Sequence, residues 1–207
     1  MMKGILNQVI TVLELTFFLP QLLLFYLTNQ KEIIINDVQK WVSVFEWKES
    51  SDLVNLLTLN SRNKEFRNLY YYRISKGNLL ARIFMKIVKP FYPECSSLFI
   101  DPSCNIGGGL FIQHGFSTII MADMGEDCWV NQQVSIGYKD KTGRPKIGNN
   151  VRITAGAKVL GNLTLGNNVT VGANAVVTKN VPDNCVVVGI PAYIIKRDGL
   201  KVKEELV

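Results

Sequence analysis

Apolar and polar positions recur with two different periods along the chain, and the change falls near residue 95. In the amino-terminal part the spacing is close to 3.6: Ile34, Val38, Trp41, Val42 and Phe45 share one helical face, and Ser51 or Asp52 is placed to cap a following helix through Leu59. Arg62 to Lys89 predicts another helical run, with Gly77 as its break. Upstream, Ile5 to Leu27 is apolar almost throughout. Glu14 near its middle and Pro20 count against a membrane span, and Leu22 to Gln30 offers no small-x-small cleavage site for a secretory signal. The expectation is a helix pair folded against its own domain, a partner subunit or the membrane surface.

From Ile100 the period is six. Ile100, Ile106, Ile112, Thr118, Met124, Val130 and Ile136 stand six apart, and Ile147, Ile153, Val159, Leu165, Val171 and Val177 repeat the spacing. Four residues after each lead position comes a second small or apolar residue, among them Cys104, Phe116, Cys128, Ala157 and Ala175. Six fits neither an α-helix nor a long strand. It fits short strands joined by tight turns, three of which close one triangular coil of about 18 residues, with lead residues stacked inside. Only Thr118 departs from an aliphatic or Met lead. The two runs are out of register because five extra residues separate Ile136 from Ile147, which predicts a protruding polar and basic loop over Tyr138 to Lys146.

Composition narrows the chemistry. The chain has 207 residues and a modest net charge of +6, which leaves nucleic acid, anionic lipid and a phosphate-bearing cofactor open, and no nucleic-acid motif supports the first. Arg62 to Lys89 carries eight basic residues and one acid, Glu65, interleaved with Phe66, Leu69, Tyr70, Tyr71 and Tyr72, and later with Ile83, Phe84 and Ile87. Two alternatives stay open for it: a basic interfacial helix, or the solvated face of an ordinary helical domain. Cys95, Cys104, Cys128 and Cys185 contain no C-x-x-C pair and the chain has a single histidine, which argues against a zinc site and fits a reduced, cytosolic protein.

Three stretches carry a resemblance: IGGGLFIQHG around His114, RPKIGNNVRITAGAKVLGN after the loop, and GIPAYIIK near the end of the repeats. Over residues 95 to 197 the sequence resembles the hexapeptide-repeat acyltransferases, and within them the serine acetyltransferase-like group. The resemblance implies a left-handed parallel β-helix, a homotrimer, and acetyl-CoA in the groove between neighbouring helices, with no metal. It also implies that His114 is the general base on an acceptor hydroxyl. An alcohol is too weak an acid to attack a thioester at neutral pH, so an imidazole must take its proton as the bond forms. By the same resemblance, the backbone at Ala155 and Ala173 meets the pantetheine arm and Tyr138 stands where the family has glycine. Lys158, Lys179 and Arg144 are candidates for the CoA phosphates.

The acceptor side departs from true serine acetyltransferases. The Asp that orients the imidazole falls at Phe99, the Asp before the histidine is Gln113, and the loop's Arg-His pair is Gly143-Arg144. Asp101 is then the candidate orienting group, and Gln113 and Arg144 the candidate acceptor contacts. These departures, with a membrane-facing amino-terminal part, lead to the expectation of a sugar or glycan-precursor acceptor in polysaccharide biosynthesis. L-serine in cysteine biosynthesis is the alternative, and a non-catalytic β-helix scaffold the second alternative. The organisation expected is α+β: a helical domain over 1–95, a β-helix over 96–197 with the loop 138–146, and a tail over 198–207. The location expected is the cytoplasm at the inner face of the membrane, with peripheral contact through residues 1–90.

Overall fold

The computed structural model describes residues 15–47 and 50–206, and the chain divides into two compact units, one ending at Glu94 and one starting at Cys95. The part of the apolar stretch from Ile5 to Glu14 lies outside the described residues.

The first unit is helical: α1 (Leu19–Leu27), α2 (Lys31–Val44), α3 (Asp52–Arg62), α4 (Lys64–Ser75) and α5 (Leu79–Val88), followed by a 3-10 turn at Lys89–Phe91. Pro20 sits in the first turn of α1, where its missing N–H costs no hydrogen bond. Ser51 caps α3 by accepting from the Val54 N–H, and Asn78 caps α5 by accepting from Ala81. Ile34, Val38 and Trp41 of the predicted face are buried, whereas Phe45 is exposed and stacks on Trp47.

The first half of the basic, aromatic run, Lys64–Ser75, is core rather than an interfacial helix. Helix α4 packs against α2, α3 and α5, so Phe66, Leu69, Tyr70, Tyr71 and Tyr72 are all core. Its arginines are buried with them and satisfied inside the unit. Arg73 grips Asp37 of α2 with two bonds, of 2.8 and 3.1 Å. Arg67 donates to the carbonyls of Pro93 and Asn60. Among the described residues no helix is long and apolar enough to cross a membrane.

The second unit is the left-handed β-helix. Its strands are β1 (Leu98–Ile100), β2 (Phe111–Ile112), β3 (Thr118–Ile120), β4 (Asp123–Met124), β5 (Trp129–Val130), β6 (Ser135–Gly137), β7 (Lys146–Ile147) and β8 (Arg152–Ile153). They continue as β9 (Lys158–Leu160), β10 (Thr164–Leu165), β11 (Thr170–Val171), β12 (Val176–Val177), β13 (Cys185–Val188), β14 (Tyr193–Arg197) and β15 (Leu200–Glu205). Three faces result, with orders β1-β3-β6-β9-β12, β4-β7-β10 and β2-β5-β8-β11-β13-β14-β15, and the strands from β1 through β13 pair in parallel from coil to coil. Lead residues stack inward, as in Ile112, Val130, Ile153, Val171 and Val187, all buried. Thr118, the departing lead, is buried too, and its hydroxyl donates to the Phe116 carbonyl. Asparagines line up at one corner, Asn150 bonding Asn168, Asn168 bonding Asn184, and Asn184 bonding Asp198, so each coil fixes the next.

Two local differences from the sequence expectation matter. Phe116, expected inward, is 46% exposed, because the chain turns tightly there: the Phe116 N–H bonds the His114 carbonyl at 2.7 Å, with His114 and Ser117 both in the left-handed region. The residues expected as a tail from 198 form β15, antiparallel to β14, which is itself antiparallel to β13, and these strands close the end of the stack.

Candidate active site

Aligning the coils through the register Ile112↔Val130↔Ile153↔Val171 puts one corner of the β-helix in a single column. Two positions after each lead stand His114, Gln132, Ala155 and Ala173. Coils are about 4.8 Å apart, so the column is an open strip of backbone turns headed by His114. The strip is tight. Gly156, next to Ala155, has φ +74, and a Cβ there would lie 2.0 Å from Asn174 Oδ1, so glycine alone lets consecutive turns nest.

His114 itself is exposed, with φ +51, a conformation in which histidine is among the more tolerant non-glycine residues. Among the described residues its imidazole has no hydrogen-bond partner, so both ring nitrogens are available to ligands.

Gln113 is held firmly. Its Oε1 accepts from Trp129 Nε1 and from Asn131 Nδ2, each at 3.2 Å. An indole N–H can only donate, so the amide orientation is determined: the oxygen faces Trp129 and the NH2 group is the end left to donate. Trp129 is fixed in turn by an edge contact with Phe111 (4.8 Å) and by Arg152, whose guanidinium lies 4.5 Å from the ring centroid. Two carbonyl oxygens in this corner, Asn131 Oδ1 and Gln132 Oε1, are buried without a partner. Each is an acceptor suited to an N–H donor.

The other sequence-predicted residues are placed as follows. Ala155 and Ala173 lie in the His114 column. Tyr138 opens the loop directly after β6 and is 48% exposed. Lys158 folds back on the corner, its Nζ donating to the Gln133 carbonyl at 2.7 Å, and Lys179 donates to the Leu206 carbonyl at 2.8 Å. Asp101 is not joined to His114 by any hydrogen bond: its Oδ1 accepts from the Ser103 N–H at 2.7 Å, closing a turn on a coil corner. Within one chain Asp101 therefore does not orient His114. Phe99 points outward from β1, paired in register with Ile119, and orients nothing polar.

Arg144 is not a free fork. Its guanidinium bonds Asp123 Oδ1 (2.8 Å), Ser103 Oγ (2.7 Å) and the Ser103 carbonyl (3.1 Å), stapling the base of the loop to the coils beneath. Asp140 closes a turn at the loop tip by accepting from the N–H and hydroxyl of Thr142, and those bonds hold its carboxyl below its ordinary pKa. A cavity of about 420 Å³ lies elsewhere, at the closing strands, lined by Val181, Pro182, Ile194 and Leu206, and contains none of these residues. Among the described residues no group of three or more His, Cys, Asp or Glu could hold a metal ion.

Sequence reasoning missed Trp129, Asn131 and Gln132. Stacking the hexads by coil, as the register requires, would have put all three beside Gln113 and His114.

The family described as bacterial transferase hexapeptide (six repeats) matches residues 144–179. A serine acetyltransferase of Staphylococcus xylosus is 40% identical over 136 residues, 61% of this chain and 59% of that protein. One from Staphylococcus aureus is 45% identical over 136 residues, covering 61% and 60%, and one from Synechococcus elongatus is 44% identical over 108 residues, covering 50% and 44%. The chain thus spans about half to three-fifths of the length of these curated relatives. In structure it is similar to the Neisseria gonorrhoeae serine acetyltransferase, with a TM-score of 0.63 at 26% identity over 84% of this chain and 67% of that one. It is also similar to a serine acetyltransferase solved in complex with cysteine, with a TM-score of 0.63 at 25% identity over 81% and 70%.

Proposed function

From its place among the hexapeptide-repeat, serine acetyltransferase-like acyltransferases, we propose that this chain moves an acetyl group from acetyl-CoA to the hydroxyl of L-serine, with His114 as general base. The sugar or glycan acceptor and the role in polysaccharide biosynthesis are corrected. They rested on side-chain departures at Phe99, Gln113 and Gly143-Arg144 and on a membrane-facing amino-terminal part, whereas relatives 40–45% identical over 108 to 136 residues are named serine acetyltransferases.

The observation that supports the proposal is the column of His114, Gln132, Ala155 and Ala173, an exposed imidazole at the head of a strip of tight turns. An acetyl-CoA lying along it brings its thioester to His114. Gln132 Oε1 then takes an amide N–H of the pantetheine arm, the turns at Ala155 and Ala173 supply backbone contacts, and Lys158 and Lys179 keep spare N–H donors for phosphate oxygens. Tyr138 and Lys179, which follow β6 and β12 on the next corner of the coil, reach it only from a neighbouring copy. On the acceptor side Asn131 Oδ1 is the carbonyl suited to the serine ammonium. The Gln113 NH2 suits its carboxylate, and Arg144, held at the next corner by Asp123 and Ser103, reaches it only from a neighbouring copy. The neutral imidazole takes the hydroxyl proton as the oxygen attacks the thioester carbonyl. As the C–S bond breaks, the imidazolium returns that proton to the departing thiolate, giving O-acetylserine and CoA.

One chain offers only an open corner, so a second wall has to come from a neighbouring copy, which favours the homotrimer. The reaction is placed in the cytoplasm, with the helical unit touching the inner membrane surface.

The test is CoA release from acetyl-CoA with L-serine, run beside His114→Asn. Asparagine tolerates the left-handed backbone, so the turn survives. The expected loss is about 10²- to 10⁴-fold. Serine-dependent release that His114→Asn leaves unchanged refutes the role of His114. No serine-dependent release refutes the acceptor, and no acetyl transfer to any hydroxyl leaves the scaffold.

A further inference from the structure

The membrane contact proposed above acquires a definite face in the helical unit, and the inference below rests on that proposal. Helices α1 and α5 are an antiparallel pair pinned at both ends. Asn78, the cap of α5, donates from its side chain to the Leu27 carbonyl (2.9 Å) and from its backbone to Asn29 Oδ1 (3.1 Å). At the opposite end Tyr92, just past α5, donates its hydroxyl to the Phe17 carbonyl (2.7 Å), and its ring lies 4.9 Å from that of Phe18.

Each helix buries one face and leaves an apolar one outside. Helix α1 buries Gln21, Leu24 and Phe25, and on the opposite side exposes Leu19, Leu23 and Tyr26 at helical spacing. Helix α5 buries only Ala81 and Val88, and exposes Leu79, Ile83 and Ile87 in one stripe. These six side chains are between 49% and 67% exposed, one stripe along each of two helices that pack on each other rather than scattered residues. Arg82 and Lys86, both exposed, flank the stripe of α5, and neither helix contains an acidic residue.

We infer that the paired stripes of α1 and α5 seat the protein on an anionic lipid surface, the apolar side chains entering the headgroup boundary and Arg82 and Lys86 meeting lipid phosphates. A second copy of the chain is the poorer occupant. A two-fold contact through α5 brings Arg82 and Lys86 against their own counterparts, with no acid on either helix to neutralise them. Phosphate headgroups supply the opposite charge.

The experiment is co-sedimentation of the full chain with phosphatidylcholine vesicles, with and without phosphatidylglycerol, alongside Arg82→Glu/Lys86→Glu and Ile83→Asp/Ile87→Asp. The expected result is binding only to the phosphatidylglycerol vesicles, weakened by salt and roughly thirtyfold weaker in the charge-reversed variant. It is also weakened in the stripe variant, while thermal melting and the rate of acetyl transfer stay unchanged. Undiminished binding by both variants overturns this face and leaves membrane contact to another surface. No binding by the wild type overturns both the face and the contact. If sedimentation mass then falls in Ile83→Asp/Ile87→Asp, a second copy covers the stripes instead.

Discussion

Asp37→Ala strikes the most exposed weakness of the helical unit. The carboxylate and the Arg73 guanidinium are each about 2% exposed and share two bonds, 2.8 Å from Nε and 3.1 Å from Nη2. A guanidinium cannot shed its proton to escape burial. Removing the carboxylate takes away both of these charge-assisted bonds from a cation buried beside Trp41, Phe66, Leu69 and Tyr70. Breaking one side of such a pair costs about 3–5 kcal/mol, a large part of the 5–15 kcal/mol that typically holds a domain together. With a urea dependence of about 1–2 kcal/mol/M for a unit of this size, the midpoint falls by roughly 1.5 to 5 M. The assay is urea unfolding by tryptophan fluorescence in a Trp129→Phe background, which leaves the signal to Trp41 and Trp47 of the helical unit. Asp37→Leu with Arg73→Met, which removes both charges and keeps apolar volume, is expected to return close to the parent. A single-variant cost below about 1 kcal/mol, or a double variant as unstable as the single one, refutes the claim that losing the carboxylate from a buried cation sets the magnitude.

Thiol chemistry and alkali give two further tests. Burial pushes the Cys104 thiol up to about 11 and raises that of Cys185, and Cys128 is fully buried, so a maleimide at pH 8 is expected to label one thiol rapidly, Cys95. Rapid labelling of three or four overturns the core assignment. Burial also raises Tyr71 from 10.0 to about 12, and its hydroxyl donates to the Tyr92 carbonyl while accepting from Gln21. A raised folded-state value means that stability is complete below pH 10 and is lost between about 10 and 12. The melting temperature of the helical unit is expected to fall over that window, with Tyr71→Phe flattening the fall; an unchanged profile in Tyr71→Phe refutes it.

How far each feature was legible in the sequence follows from the distance over which its contacts repeat. In the β-helix every inward residue meets its counterpart one coil away, so a six-residue period exposes strands, core and even the loop insertion from Ile136 to Ile147 without knowledge of any other contact. The helical unit has no such repeat. Spacing shows that Phe66, Leu69 and Tyr70 share faces of α4, but nothing local shows that three helices surround it, or that Asp37 is waiting for Arg73. Two of the charges, Arg67 and Arg73, were therefore assigned to solvent or lipid when they belonged inside, and the stripe that does face outward, on α5, lay in the same run. The acceptor side follows the same logic. Gln113 in place of an acid reads as a lost contact when taken alone. Set against Trp129 and Asn131, 16 and 18 residues away, it is an amide locked with its donor end presented. A substituted residue that the fold still holds in position has changed the polarity of a contact rather than abolished the site. Under the proposed function, the Gln113 amide presents a donor where an acid before the histidine would present an acceptor.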